Sequence, residues 1–186
     1  MPEQLDTWRE EFTAFHGRFA PLFARRESRE QCRRYLRGLL ANVGRKNCWQ
    51  LAEQTGAASP DATQRMLYQA KWDADAARDM VQEYVCERFG DADGIGAVDE
   101  TGFVKKGGRS VGVKRQYTGT AGKIENCQIG VFLSYVAPRG HAFLDRRLYL
   151  PQDWCEDQER RAAAHVPPDV EFRTKPQLAL EMLSHA

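Results

Sequence analysis

The spacing of hydrophobic residues changes once along this chain, near residue 90, and this change limits the fold more than any other feature. Before it, large apolar residues recur at intervals of three and four, which is typical of one side of an α-helix. After it, apolar residues form short runs bounded by glycine and proline, which is typical of β-strands. We therefore predict an α+β chain, with a helical module at 1–90 and a sheet-containing domain at 91–186.

Five helices are predicted in the first module. An apolar stripe runs from Leu5 to Phe19, its aromatic part from Trp8 to Phe19 is expected to face the core, and residues 29–40 repeat its spacing. Shorter helices are predicted at 47–54 and 59–71, with Ser59 as the cap of the latter, and Asp73 is expected to cap the fifth. The two short helices resemble a helix-turn-helix unit, although such pairs are common in proteins that never touch DNA. If this helix pair binds DNA, the polar side chains available to a groove of the duplex are Gln64, Arg65, Gln69 and Lys71.

The second domain is predicted to hold an incomplete sheet. Its first strand is short and buried, and Asp99 and Glu100 stand at its C-terminal tip, before an extended loop or short hairpin at 105–123. Such a sheet leaves one face and one edge uncovered, so we expect the chain to be part of a larger fold or to be completed by another chain. The predicted strands are 95–98, 127–136 and 141–150, followed by one helix from Lys175 to His185.

Charge is distributed unevenly although the chain has a formal net charge of only +1. Between Thr101 and Ile124 there are basic residues and no acid, which favours contact with DNA phosphates. A solvated, glycine-rich loop remains the alternative. The candidate DNA-binding residues are Lys105, Lys106, Arg109, Lys114, Arg115 and Lys123.

Asp99 is the candidate catalytic residue and metal ligand. A carboxylate at the end of a rigid strand suits a hard divalent cation, and DNA strand cleavage commonly uses two such ions. On the pattern alone, a solvated strand end explains the same residues. The five cysteines are scattered without a Cys-x-x-Cys pair, which argues against zinc. No apolar stretch is long enough to span a membrane, and we expect a cytoplasmic protein.

Several segments resemble DDE transposases of the insertion-sequence 701 type, which are relatives of the insertion-sequence 4 group. The likeness covers nearly the whole chain and is most specific around Asp99. The segments that carry it are RKNCWQLAE at 45–53, VDETGFVKKG at 98–107, SVGVKRQYTGTAGKIENCQ at 110–128, LYLP at 148–151 with Trp154, and VEFRTKP at 170–176.

The resemblance implies an RNase H-like domain that cuts and joins DNA with three acids and Mg²⁺ or Mn²⁺. Asp99 matches the first acid, and the family's second and third acids fall beyond the last residue, Ala186. We therefore expect a truncated, catalytically incomplete transposase that acts on transposon ends, either as a homo-oligomer or with intact transposase. The alternative is a non-catalytic DNA-binding or dimerising protein derived from a transposase.

Overall fold

The computed structural model describes residues 2–186, with side chains from Gln4 onward. It is an α+β structure, as predicted, and none of its described helices is long and apolar enough to cross a lipid bilayer. The helices are α1 (Pro2–Phe19), α2 (Arg26–Leu40), α3 (Cys48–Gln54), α4 (Asp61–Tyr68), α5 (Ala74–Phe89), α6 (Gln152–Glu156), α7 (Gln158–Ala163) and α8 (Lys175–His185), with a 3-10 turn at Ala20–Leu22. The strands are β1 (Ile95–Val104), β2 (Lys114–Thr118), β3 (Lys123–Ala137) and β4 (Gly140–Tyr149).

Two compact units, residues 1–80 and 81–186, make up the chain. Of the two side-chain caps that the sequence predicts in the first 80 residues, one is present and one is not. The Asp73 carboxylate accepts hydrogen bonds from the backbone N–H groups of Asp75 and Ala76 at 2.9 and 3.0 Å, so it caps α5. Ser59 does not cap α4, because its hydroxyl donates to the Asp61 carboxylate instead of accepting from the helix.

The apolar stripe of α1 is only partly buried. Phe19 is buried, but Leu5 and Trp8 are 69% and 75% exposed, so the prediction that the aromatic part of the stripe faces the core is wrong at Trp8. Periodicity identifies side chains that share one side of a helix, and it does not show whether another element covers that side. The buried apolar residues of this unit are Phe19, Phe23, Cys32, Leu51, Ala52 and Met66.

The second unit contains four antiparallel strands, one more than predicted. β3 is central: β1 pairs along one of its edges, and β2 and β4 pair along the other. The extra strand, β2, lies in the segment 105–123 and forms a hairpin with β3, which was one of the two predicted alternatives for that segment. β1 is longer than predicted and is an exposed edge strand, because no described strand pairs with its outer edge.

One face of the sheet is covered by α8 and the end of α5. Val131 and Leu133 of β3 lie beneath Leu178 and Met182 of α8, together with Val85 of α5. A capping box fixes the start of α8, since the Thr174 hydroxyl and the Gln177 side chain each accept from the other residue's backbone N–H. The opposite face carries the residues that alternate with this core along each strand.

A second core surrounds Trp154, which is fully buried. Its indole N–H donates to the backbone carbonyl of Val113 at 2.8 Å, and the Arg160 guanidinium lies 3.7 Å from the ring centre. Leu150 and Val113 pack in the same cluster. These contacts tie α6 and α7 to the loop that leads into β2.

Trp154 therefore allows a test of this packing. We expect Trp154→Ala to lower the free energy of unfolding by about 3–5 kcal/mol through lost burial. Trp154→Phe keeps most of the volume but removes the shorter of the two hydrogen bonds to the Val113 carbonyl, leaving that from Arg160 at 3.4 Å, at a cost of about 1 kcal/mol. Urea unfolding followed by circular dichroism measures both. Trp49, which is 62% exposed, supplies the control, and an equal loss in Trp49→Ala would contradict the packing described.

Candidate functional site

Asp99 lies in the middle of β1, directly opposite Phe132 of β3. The prediction that it ends a buried strand is wrong, because β1 continues five residues beyond it to Val104 and its side chain is exposed. Its Oδ1 accepts a hydrogen bond from the backbone N–H of Glu100 at 2.7 Å. Pairing with β3 thus holds the backbone at Asp99, while its carboxylate stays accessible to solvent.

The open face of the sheet around Asp99 is aromatic. Directly opposite residues of antiparallel strands share a face, so Asp99, Phe132 and Arg146 form one row across β1, β3 and β4. The Phe132 ring contacts Phe103 and Phe143, with centroid distances of 6.2 and 5.5 Å. Phe143 is 68% exposed, so this apolar cluster faces solvent beside the carboxylate.

Glu100 points to the opposite face because side chains alternate along a strand. Its carboxylate pairs with Lys175 at the start of α8, and Lys175 also lies 5.4 Å from the centre of the Tyr149 ring. These contacts join β1 to α8 on the covered face. Glu100 therefore has a structural partner and does not share a side of the sheet with Asp99.

The described acids do not assemble into a metal centre. No group of three or more His, Cys, Asp or Glu residues within residues 2–186 could hold an ion. Asp145 is fully buried on the covered face, where it binds the Arg147 guanidinium at 2.7 and 2.8 Å. Magnesium takes six oxygen ligands in near-octahedral geometry. Asp99 alone does not meet this requirement, so the described residues do not fit a metal site by themselves.

The six basic candidate residues differ in whether an acid compensates their charge. Lys114 pairs with Asp153 at 3.0 Å, and Lys123 pairs with Glu125 at 2.9 Å. The Glu125 carboxylate accepts a hydrogen bond from Lys123, which lowers the pKa of Glu125 and favours its charged form. Arg115 forms no ion pair, but it interacts electrostatically with Glu125. Within the described part of the chain, three of the candidates have no acidic partner, and these are Lys105, Lys106 and Arg109.

The segment between β1 and β2 is anchored rather than free, and the residues that anchor it were missed by the sequence analysis. The Asn126 amide donates to the backbone carbonyls of Lys105 and Gly107 at 2.8 and 3.0 Å. The Gln128 amide donates to the Val111 carbonyl, and Arg160 donates to the Gly108 carbonyl at 3.0 Å. Two amide side chains at alternate positions of β3, Asn126 and Gln128, were the available signal.

Two acids on opposite faces should respond differently to neutralisation. Asp145→Asn leaves the partly buried Arg147 without its counter-charge, so we expect about 3 kcal/mol of destabilisation. Asp99→Asn keeps an oxygen that accepts from the Glu100 N–H, and its effect should stay within about 0.5 kcal/mol. Urea unfolding at constant pH compares the two variants. Equal losses would show that Asp99 also has a structural role.

Comparison with known proteins agrees with the resemblance in the sequence. The family described as DDE superfamily endonuclease matches residues 18–186. The chain is 27% identical over 147 residues to a "Probable transposase for insertion sequence element IS701" from Microchaete diplosiphon. That match covers 76% of this chain and 34% of the relative, so the chain spans about a third of its length. No solved structure matches. On the family match, the chain belongs to the DDE superfamily endonuclease family.

Proposed function

We propose that this chain supplies the first catalytic carboxylate, Asp99, of a metal-dependent transposase that cuts and joins DNA at the ends of an insertion sequence. The family match and the likeness to a probable insertion-sequence transposase support this activity. The observation that carries the assignment to Asp99 is its position: it is an exposed carboxylate in the middle of a strand whose backbone is fixed by pairing with β3.

A rigid carboxylate that faces solvent suits metal ligation better than a buried one. Asp145 is engaged by Arg147, and Glu100 is engaged by Lys175, so each already has its charge compensated. Asp99 has no cationic partner among the described residues, and its Oδ1 accepts a hydrogen bond from the Glu100 N–H. Its second oxygen therefore remains available as a hard ligand of the kind that Mg²⁺ or Mn²⁺ prefers.

The free edge of β1 supports an RNase H-like domain that extends beyond these strands. An unpaired strand edge exposes a row of N–H and C=O groups that further strands can satisfy. Apolar side chains along this edge are exposed as well, including Ile95 at 65% and Val104 at 55%. In this proposal the second and third acids come from polypeptide outside residues 1–186, on elements that pack beside β1 and complete the metal site.

The segment after β1 is proposed to bind the DNA backbone. Lys105 follows Asp99 by six residues, a distance of at most about 20 Å along an extended strand. Measured along the helix axis of a duplex, this length spans about six phosphates of one strand. The anchoring by Asn126 and Arg160 holds the segment in place, so its cations are fixed relative to β1. DNA bound there would extend along β1 towards Asp99.

The residues described here also favour a second role for this chain by itself, binding DNA without cutting it. They provide three uncompensated cations in the segment after β1 but only one exposed candidate carboxylate on the open face, and no metal-binding group. A supercoiled-plasmid nicking assay with Mg²⁺ or Mn²⁺, paired with a DNA-binding measurement, separates the two roles. Binding without nicking supports the non-catalytic role of the isolated chain.

Asp99 is tested in a protein that joins this chain to the remainder of a DDE domain. We expect Asp99→Asn to lower the rate of strand cleavage by about a thousandfold or more, because metal-assisted displacement needs its full ligand set. Glu100→Gln is the neighbouring control and should keep the rate within about tenfold, since Glu100 contacts Lys175 on the other face. Cleavage of a labelled transposon end measures both. Cleavage by Asp99→Asn at the unmodified rate would exclude the proposal.

The division of the basic residues gives a second test with a built-in control. Replacing Lys105 and Lys106 by glutamine removes two charges, the same number as the control, and should make the slope of log affinity against log salt shallower by about 0.9 per lost phosphate contact. Lys114→Gln with Lys123→Gln should change it less, because those cations are already paired with Asp153 and Glu125. Fluorescence anisotropy with duplex DNA measures the slope. A larger effect from the paired set would contradict the proposal.

A further inference from the structure

The helical unit contains a groove between the start of α2 and the end of α4. Its volume is about 1070 Å³, and its floor includes Phe23 and Met66, which are both buried. The Gln31 amide donates to the Thr63 hydroxyl at 2.7 Å and joins α2 to α4. Because the floor is packed and the two walls are linked, the groove is a fixed feature of this unit.

The walls of this groove carry more positive than negative charge. Five cationic side chains and two carboxylates line it. One cation, Arg34, is 3.5 Å from Glu30 and is largely compensated. The other four cations are exposed and have no acidic partner among residues 4–186. They are Arg25 and Arg26 at the start of α2, Arg65 within α4 and Lys71 after the end of α4.

The charge of the groove points to a polyanion. Four cations without an acidic partner border the groove, so a ligand with several negative charges matches its electrostatic potential. Guanidinium groups present a planar fork of donors that matches phosphate oxygens. Cations on both walls can contact successive phosphates of one backbone, which a single small anion cannot provide.

We propose that the groove between α2 and α4 binds the phosphate backbone of duplex DNA. This inference rests on the proposed function, because it takes DNA to be the polyanion that the protein meets. It differs from the helix-turn-helix interpretation of the sequence, since the groove is formed by α2 and α4 rather than by α3 and α4. Arg65, Gln69 and Lys71 line it, but Gln64 does not.

The test compares two variants of the 186-residue chain that lose the same charge. Arg26→Gln with Arg65→Gln removes one cation from each wall, and Arg37→Gln with Arg45→Gln removes two exposed cations outside the groove. Every protein carries Asp99→Asn and is measured without divalent metal ions, so that cleavage does not affect the readout. Circular dichroism checks that both variants keep the helical content of the parent.

Fluorescence anisotropy with a labelled duplex gives the dissociation constant at several salt concentrations. We expect the groove variant to bind at least about tenfold more weakly at about 0.1 M salt, with a slope shallower by about 2, and the control to stay within roughly twofold. Equal weakening of both variants, or no weakening of the groove variant, would overturn the proposal. So would binding of the parent chain to phosphatidylserine vesicles in preference to DNA.

The two proposals fail separately. Loss of the groove's contribution is read from DNA binding measured without divalent metal ions, so it does not depend on whether Asp99 is catalytic. Conversely, DNA cleavage by a completed DDE domain that carries Asp99→Asn would exclude Asp99 as a catalytic residue and would leave the result on DNA binding unchanged.

Discussion

The pairing of β1 with β3 is the interaction on which the rest of the site depends. Its register sets Asp99 opposite Phe132 and Glu100 opposite Val131, so two adjacent acids face opposite sides of the sheet. Glu100 is then drawn into an ion pair with Lys175, while Asp99 stays exposed. A shift of the register by one residue would exchange these environments, because side chains alternate along a strand. The difference between a structural and a candidate catalytic acid therefore follows from strand pairing.

Hydrophobic spacing in the sequence was sufficient to predict the α+β class, the helical first half and the pairing partners β3 and β4. The cap at Asp73 was also predictable, because a short carboxylate before a helix has one dominant local use. Local rules failed where burial depends on distant elements. Leu5 and Trp8 have helical spacing yet remain exposed, and Ile95 lies in an apolar run that forms an exposed edge strand.

The site was predicted in part. The catalytic role of Asp99 stays a prediction made through resemblance, and its expected place at the end of a strand was wrong because sequence cannot show that β1 continues past the acids to Val104. The basic residues were predicted as one set, and only the fold reveals that Asp153 and Glu125 compensate Lys114 and Lys123. The partner of Lys114 is distant in sequence, so no local pattern predicts it. The groove between α2 and α4 depends likewise on helix packing.

The central claim is that the Asp99 carboxylate ligates a divalent ion during DNA cleavage. Asp99→Cys in a completed DDE domain tests it most directly, because a thiolate binds Mg²⁺ poorly and accepts softer ions such as Mn²⁺ more readily. We expect cleavage by Asp99→Cys to be lost in Mg²⁺ and partly restored in Mn²⁺, with no such rescue for Asp99→Ala. Cleavage by the cysteine variant at the parent rate in Mg²⁺, or equal loss in both metals, would contradict it.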